Sequence, residues 1–362
     1  MSKPKHVTLN GQEVPFEEGE TILTLAKRHG EEIPTLCYEP RLSVVGSCRT
    51  CLVEVKGRGR MMPSCSTLLE EGMDITTTNP RIERHQKALL ALYMTDHPQE
   101  HESCETGAPC ELHQMAADVN APRDWPHMEP IRQSRPDDRN RFVEFIAEKC
   151  ILCSRCTRYC DEVEAVNAIT LTGRGAKTTI STTDQISLLD SSCELCGGCI
   201  DVCPTGAMTE KKPHVQQAPP ERELEKVRTT CNYCGVGCQM DLNVSNGTQP
   251  RHVAKITSPP PGTTTNDGNL CVKGRFAYDF ISHPDRLKVP LVRGEDGQLH
   301  EATWEEALQK AADGLMKVKA EHGADALGFI SSSRCTGEEN YLVQKLSRAV
   351  FTTNNVHQCA AT

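Results

Sequence analysis

The sequence predicts an α+β chain of several small domains, held by metal–thiolate sites in place of one large apolar core. Three observations carry that prediction. Only 37% of the 362 residues are hydrophobic and 4% aromatic, so each domain has little apolar surface to bury. Cysteine occurs 20 times, mostly at short, repeated spacings. Strand-like alternation and helical periodicity follow one another in short stretches, separated by Pro-rich connectors. MSKPKHV leads straight into a strand pattern with no export signal, and no apolar run approaches the length of a membrane span. The expectation is a cytoplasmic chain whose thiols stay reduced and serve metals. A net charge of −9 argues against a nucleic-acid partner, and its plain reading is solubility.

The organising stretch is Cys150 to Cys203. It reads CILCSRCTRYC and then CELCGGCIDVCP, so each half is C-x2-C-x2-C-x3-C. Three thiolates on a tight turn can reach three irons of one cubane face, while the fourth points away to a second cluster. One [4Fe–4S] is therefore assigned to Cys150, Cys153, Cys156 and Cys203, and the other to Cys193, Cys196, Cys199 and Cys160. Paired C-x2-C runs also build zinc sites, but a third cysteine three residues on suits a cluster better. Pro204 follows the second run, as in bacterial ferredoxins, whereas Asp161 follows the first.

The elements before this stretch follow in order. Residues 6–16 alternate around Gly11 as a hairpin. Ile22 to His29 reads as a helix stopped by Gly30. Strands are expected at Leu52–Val55 and Met73–Thr77, flanking the set Cys37-x10-Cys48-x2-Cys51-x13-Cys65. Asn79 and Pro80 cap and open a helix with an apolar face of Ile82, Ala88, Leu89 and Leu92. Then comes His97-x3-His101-x2-Cys104-x5-Cys110. Its readings are a [4Fe–4S] on two His and two Cys, a zinc site, or a loop without metal. His113 lies outside that pattern and receives no role. Residues 120–141 form an extended connector. Phe142 to Ala147 opens the two-cluster unit, with short strands expected at Ala168–Leu171 and Ile186–Leu189, and residues 211–222 make a second linker.

A further cysteine set follows at Cys231-x2-Cys234-x3-Cys238-x32-Cys271, with Lys273 two residues past its last member. Thr303 to Glu306 reads as a capping box opening a helix to Gly323. Ala326–Ile330 suits a buried strand, and a loop from Ser331 to Asn340 leads into another helix. Strand, loop and helix in this order suit an α/β unit that binds a nucleotide-like group. Cys335 reads as a loop or buried thiol.

The hairpin, helix and cysteine loop resemble the β-grasp of [2Fe–2S] ferredoxins. The spacing of Cys37, Cys48, Cys51 and Cys65 is similar to that in the large peripheral subunit of NADH:quinone oxidoreductase. It also matches that subunit's relatives among NAD-linked formate dehydrogenases and iron hydrogenases. Gly46 and Ser47 either wrap the loop around the cluster or make a simple turn. The same families carry H-x3-C-x2-C-x5-C; here the first expected Cys is His101. The TTCNYCGVGCQM…NLCVKGRF segment resembles the N-terminal [4Fe–4S] domain of molybdenum or tungsten bis-pterin oxidoreductases. In those enzymes a Lys at the position of Lys273 mediates electron passage to the pterin; by itself it would read as a surface Lys beside a turn.

The chain is thus identified as a member of this group, most similar to the catalytic (alpha) subunit of an NAD-linked, molybdopterin-dependent formate dehydrogenase. The resemblance implies a multi-domain α+β iron–sulfur protein. Its expected parts are a β-grasp [2Fe–2S] domain (1–79), a helix and His/Cys cluster segment (80–119), a connector (120–141) and a two-cluster bacterial-type ferredoxin domain (142–210). A linker (211–225), a [4Fe–4S] domain (226–284) and the start of an α/β molybdopterin domain (285–362) follow. Implied cofactors are one [2Fe–2S], three to four [4Fe–4S] and a Mo or W bis-molybdopterin guanine dinucleotide. The implied partner is a flavin/NAD-binding iron–sulfur subunit of the diaphorase type. The ending NNVHQCAAT aligns so that the next residue would be the metal-ligating Cys or selenocysteine, and truncation at a misread UGA codon is the expectation. Two alternatives remain: a standalone iron–sulfur subunit of a hydrogenase or flavoprotein complex, and the quinone oxidoreductase subunit itself. The intact two-cluster unit, Lys273 and the NNVHQCA ending favour the formate dehydrogenase side.

Overall fold

The computed structural model describes residues 5–98, 110–122, 138–212, 218–219, 221–245 and 252–359. The first unit is a five-stranded mixed sheet in the order Gln12–Phe16, Lys5–Leu9, Asp74–Thr76, Leu52–Val55, Met62–Pro63. Strands β1 (Lys5–Leu9) and β2 (Gln12–Phe16) form the expected hairpin. Asn10 and Gly11 between them both have positive φ, at 49° and 83°, the geometry of a tight hairpin turn. β3 (Leu52–Val55), β4 (Met62–Pro63) and β5 (Asp74–Thr76) complete the sheet, with β5 parallel to β1. Helix α1 (Ile22–Arg28) starts with reciprocal capping by Thr21 and Thr24 and buries Ile22 and Leu25 against Val7, Val53 and Ile75.

Helix α2 (Pro80–Met94) starts at the predicted Asn79 cap, whose carboxamide accepts from the N–H groups of Arg81 and Ile82. Its buried face corrects the sequence expectation. Ile82, Gln86, Leu90 and Ala91 are buried, whereas Ala88 is exposed and Leu92 is 59% exposed. The i, i+4, i+8 row from Ile82 sets the face, and it passes through a glutamine that polarity alone would place outside.

In the two-cluster unit, strands Val143–Phe145 and Met208–Glu210 pair antiparallel and close the ends of the segment together. Helices Arg155–Glu162 and Gly198–Asp201 follow the second cysteine of each run. Leu152 and Ser154 have positive φ, and so do Leu195 and Gly197 at the corresponding positions of the second run. The repeat in cysteine spacing is thus also a repeat in backbone. Thr170–Thr172 pairs with Thr179–Ser181. Residues 186–189 are not a strand: a short 3-10 turn covers Leu188–Asp190. There the Asp138 carboxylate accepts from Ser187 Oγ and Leu188 N, and this local capping outcompetes extension.

A three-stranded antiparallel sheet (Glu225–Thr230, Gln239–Ser245, His252–Thr257) carries the next cysteine set. Beyond a small hairpin (Leu291–Arg293 with Leu299–Glu301), helix Trp304–His322 opens on Thr303, whose hydroxyl accepts from Glu306 N, and ends at Gly323. Strand Phe329–Ser332 lies parallel to Val356–Cys359, with helix Gly337–Ala349 between them in sequence. Leu327 is buried as expected, but Ile330 is 74% exposed, so the run from Ala326 to Ile330 is not buried throughout. No described helix is long and apolar enough to cross a membrane.

Candidate metal centres

Among the described residues, the structure gathers the predicted cysteines into separate sites. Cys37, Cys48, Cys51 and Cys65 are all buried at the loop that joins α1 to β3 and β4. Gly46 in this loop has φ 59°, and a Cβ there would have its nearest contact at 3.8 Å from Ser66 Oγ. Its left-handed backbone, rather than a close approach, is what favours glycine at this position. The thiols divide into two pairs. Hydrogen bonding to Cys37 pulls the Cys48 thiol below its ordinary value and pushes Cys37 up. The same exchange lowers Cys51 and raises Cys65. Thr50 Oγ1 lies 3.2 Å from Cys48 Sγ, and the Cys48 N–H points to Cys37 Sγ at 3.5 Å. Two irons with two terminal ligands each fit this set.

In the two-cluster unit the cysteines sort by crossing over between the runs. One cavity, of about 20 Å³, is lined by Cys150, Cys153, Cys156 and Cys203. A larger cavity of about 920 Å³ is lined by Cys160, Cys193, Cys196 and Cys199. The backbone serves both in the same way. Leu152 N donates to Cys150 Sγ and Leu195 N to Cys193 Sγ, each at 3.4 Å. Ala168 N donates to Cys160 Sγ at 3.2 Å and Met208 N to Cys203 Sγ at 3.4 Å. Such donors stabilise thiolates and tune a bound cluster. Burial pushes the Cys153 and Cys196 thiols up to about 12, and Cys156 and Cys199 rise well above their usual range for the same reason. Without metal these are neutral thiols near pH 7, so metal loading must release their protons.

Cys231 and Cys238 face each other at the ends of two strands, with Cys231 N donating to Cys238 O at 2.8 Å. Cys271 caps the short helix Val272–Phe276, and its charge is felt at Cys231 and Cys238, as is that of Cys234. A Cβ on Gly274 would lie 3.7 Å from Cys231 Sγ. Lys273 is half-buried on the same helix.

Of the His/Cys set, His97 and Cys110 are buried and adjacent, with His97 Nε2 3.6 Å from Cys110 Sγ. His101 and Cys104 lie outside the described residues. His113, which the spacing passed over, joins this pair: its ring centroid is 5.0 Å from that of His97. Among the described residues, the ligand atoms of His97, Cys110 and His113 all lie within 4.8 Å of one another. The only sequence signal for His113 is its i+3 spacing from Cys110 on a helix.

Sequence reasoning also passed over four arginines that join the sites. Arg158 donates to the carbonyl oxygens of Cys37 and Ser43, each at 2.6 Å. Arg155 donates to both Glu111 carboxylate oxygens at 3.1 Å and to Thr35 O. Arg275 donates to Cys196 O at 3.0 Å and pairs with Asp201 at 3.7 Å. Asp201 also pairs with Arg41 at 3.0 Å, and Arg41 reaches Glu39 and Asn269 and lies over the Tyr159 ring. Tyr159 OH donates to the same Asn269 Oδ1 at 2.8 Å. Gly197 and Gly198 admit this packing. A Cβ on Gly197 would come 2.3 Å from Arg275 Cδ, and one on Gly198 1.9 Å from the Tyr159 ring.

Four protein-family models match successive parts of the chain. They are a 2Fe-2S iron-sulfur cluster binding domain at residues 2–80 and the ferredoxin-like domain of NADH-quinone oxidoreductase subunit 3 at 140–209. The Fe4S4 domain of molybdopterin oxidoreductases matches 224–283, and the molybdopterin oxidoreductase domain matches 286–362. Together they make the chain a multi-domain iron–sulfur protein. Among curated relatives, the NADPH-Fe(3+) oxidoreductase subunit alpha of Geobacter sulfurreducens is 34% identical over 97% of this chain and 40% of its own length. An NADH-quinone oxidoreductase subunit of Rhizobium meliloti is 36% identical over 97% of this chain and 39% of its own. A putative formate dehydrogenase of Staphylococcus aureus is 31% identical over 98% of this chain and 39% of its own. The chain therefore spans about two fifths of the relatives' length. A solved NAD+-reducing [NiFe]-hydrogenase aligns with a TM-score of 0.51 at 26% identity, covering 59% of this chain and 94% of that one.

Proposed function

Residues 224–362 match the two domains of the molybdopterin oxidoreductase family, and we propose that the chain as a whole is the electron relay of such an enzyme. The observation that carries this reading is the contiguity of the thiol sites. The Cys37 loop, the crossed cavities of the 150–203 segment and the Cys231 site are laced together by buried and half-buried arginines. The bound clusters would supply one-electron transfer. The chain's own residues do the rest. Cysteines hold, backbone N–H groups tune, and Arg41, Arg155, Arg158 and Arg275 fix the spacing between sites.

In this reading Cys37, Cys48, Cys51 and Cys65 take one [2Fe–2S]. Cys150, Cys153, Cys156 and Cys203 take one [4Fe–4S], as do Cys160, Cys193, Cys196 and Cys199. Cys231, Cys234, Cys238 and Cys271 take the third. Lys273, two residues past Cys271, would mediate passage to the pterin. The substrate would be formate, oxidised to carbon dioxide at a Mo or W bis-pterin centre, with a flavin/NAD subunit as the electron acceptor. The name of the Staphylococcus aureus relative supports the substrate, and that of the hydrogenase neighbour supports the NAD partner.

The Rhizobium meliloti relative and the ferredoxin-like domain match favour a second reading, a subunit of NADH:quinone oxidoreductase type. The full-length protein, assayed anaerobically with formate and an artificial acceptor, separates the two. Formate-dependent reduction, with molybdenum or tungsten bound, is expected. Bound iron with no pterin metal and no turnover would overturn the formate reading. The 362-residue chain loaded with iron and sulfide should carry about fourteen irons on its cysteine sites.

A further inference from the structure

We propose that His97, Cys110 and His113 bind a single divalent ion of the zinc class, which clamps two cluster-bearing units together and takes no part in electron transfer. The inference is independent of the substrate reading. It starts from distances. All three ligand atoms lie within 4.8 Å of one another, and the His97 Nε2–Cys110 Sγ separation is 3.6 Å. Zinc bonds of about 2.3 Å to sulfur and about 2.0 Å to imidazole nitrogen place two tetrahedral ligands about 3.5 Å apart. In a cubane each iron takes its own protein ligand, so the ligand atoms surround a four-iron body and stand wider apart. The crowding of three ligand atoms here fits one ion.

The donor chemistry agrees. Imidazole nitrogen and thiolate sulfur are both zinc donors, and three of them leave a fourth tetrahedral position for another donor. Cys110 and His113 stand three residues apart at the start of helix Glu111–Asp118, so they share one face. His97 comes from the turn after α2, whose C-terminal half packs on that helix through Leu90 and Leu112. The His97 and His113 rings are tilted by 58° rather than stacked, as converging ligands would be.

The location gives the ion its role. The buried cluster around this site contains Cys37 and Cys48 on one side, with Ile151 and Cys153 packed against it on the other. Helix Glu111–Asp118 is tied to the two-cluster unit by the Arg155–Glu111 pair and by Glu111 N donating to Pro204 O at 2.7 Å. A zinc ion here would fix the [2Fe–2S] loop against the Cys150 site. Zinc has no redox chemistry, so the relay would run past it.

The test uses the full 362-residue chain, loaded anaerobically with iron and sulfide in the presence of zinc, with metals counted per chain. About one zinc and about fourteen irons are expected. H113A and H97A should each lose the zinc, while iron content and the EPR signals of the cysteine-held clusters stay unchanged. Those signals also report that the variants fold. Cobalt in place of zinc should give a thiolate-to-metal absorption band that C110S abolishes. About eighteen irons in the parent chain, with a loss of about four in C110S, would overturn the proposal in favour of a cubane. Zinc retained by both H113A and H97A would overturn it as well.

Discussion

The 138–212 segment and the 285–359 segment are of similar size but are built on opposite principles. In the first, the regular elements are three to eight residues long, and cysteines line its cavities and join its buried cluster. In the second, helix Trp304–His322 runs 19 residues with a proper cap at each end yet has no buried residue. Trp304 is 71% exposed, and Leu308, Tyr341 and Leu342 are exposed too. The first segment has tertiary sites with little autonomous secondary structure. The second has autonomous secondary structure with an uncovered apolar face. The difference implies that thiolate–metal bonds do in 138–212 what local capping and periodicity do in 285–359.

The largest effect that follows concerns metal removal. Iron-free chain should lose amide-exchange protection throughout 150–203, while the helices Trp304–His322 and Gly337–Ala349 keep theirs. Equal protection in both regions would erase the contrast. Next is Asp201, the shared partner of Arg41 and Arg275. Asp201→Asn removes the carboxylate facing the buried Arg275 guanidinium and leaves Arg41 with Glu39 alone, and should cost about 3 kcal/mol in the denaturation of the metal-loaded chain. An equivalent change at Asp313, on helix Trp304–His322, should be nearly neutral.

A smaller effect is pH-dependent. Burial pushes the Glu210 carboxyl up from 4.5 to about 7, against the pull of Lys212 and of the Tyr278 hydroxyl. The folded state then holds its proton more tightly than the unfolded state. Stability contributed here is present below about pH 4.5 and is lost as pH rises towards about 7. Glu210→Gln should flatten that slope, seen as denaturation midpoints that no longer fall between those pH values. The smallest effect belongs to the second region. Thr336→Ala removes a reciprocal cap with Glu339 and should cost about 1 kcal/mol, read as lost helicity of Gly337–Ala349.

The same contrast explains what could be read from the chain beforehand. Cysteine spacing carries its own geometry, so the crossed sets Cys150/Cys153/Cys156/Cys203 and Cys160/Cys193/Cys196/Cys199 were legible and each reappears around one cavity. Caps at Asn79 and Thr303 were legible because they act within three residues. The arginine lacing was not. Arg41 finds Asp201 across 160 residues, and nothing local marks either partner. His113 was missed because its meeting with His97 depends on how two helices pack. The strand expected at 186–189 failed because Asp138, about fifty residues earlier, caps that turn. The face of α2 was misplaced because Gln86 is buried on it.

The central claim is that the thiol sites form one connected relay, and magnetic coupling between clusters tests it most directly. Cys156 of one set and Cys199 of the other lie close enough for the charge of Cys199 to raise the Cys156 thiol. The loaded chain, reduced stepwise and followed by EPR, should show broadened, split signals once both clusters of the 138–212 segment are reduced. Cys160→Ser and Cys203→Ser should each perturb a different one of the two signals. Sharp, independent signals at full reduction, or two variants that perturb the same cluster, would contradict it.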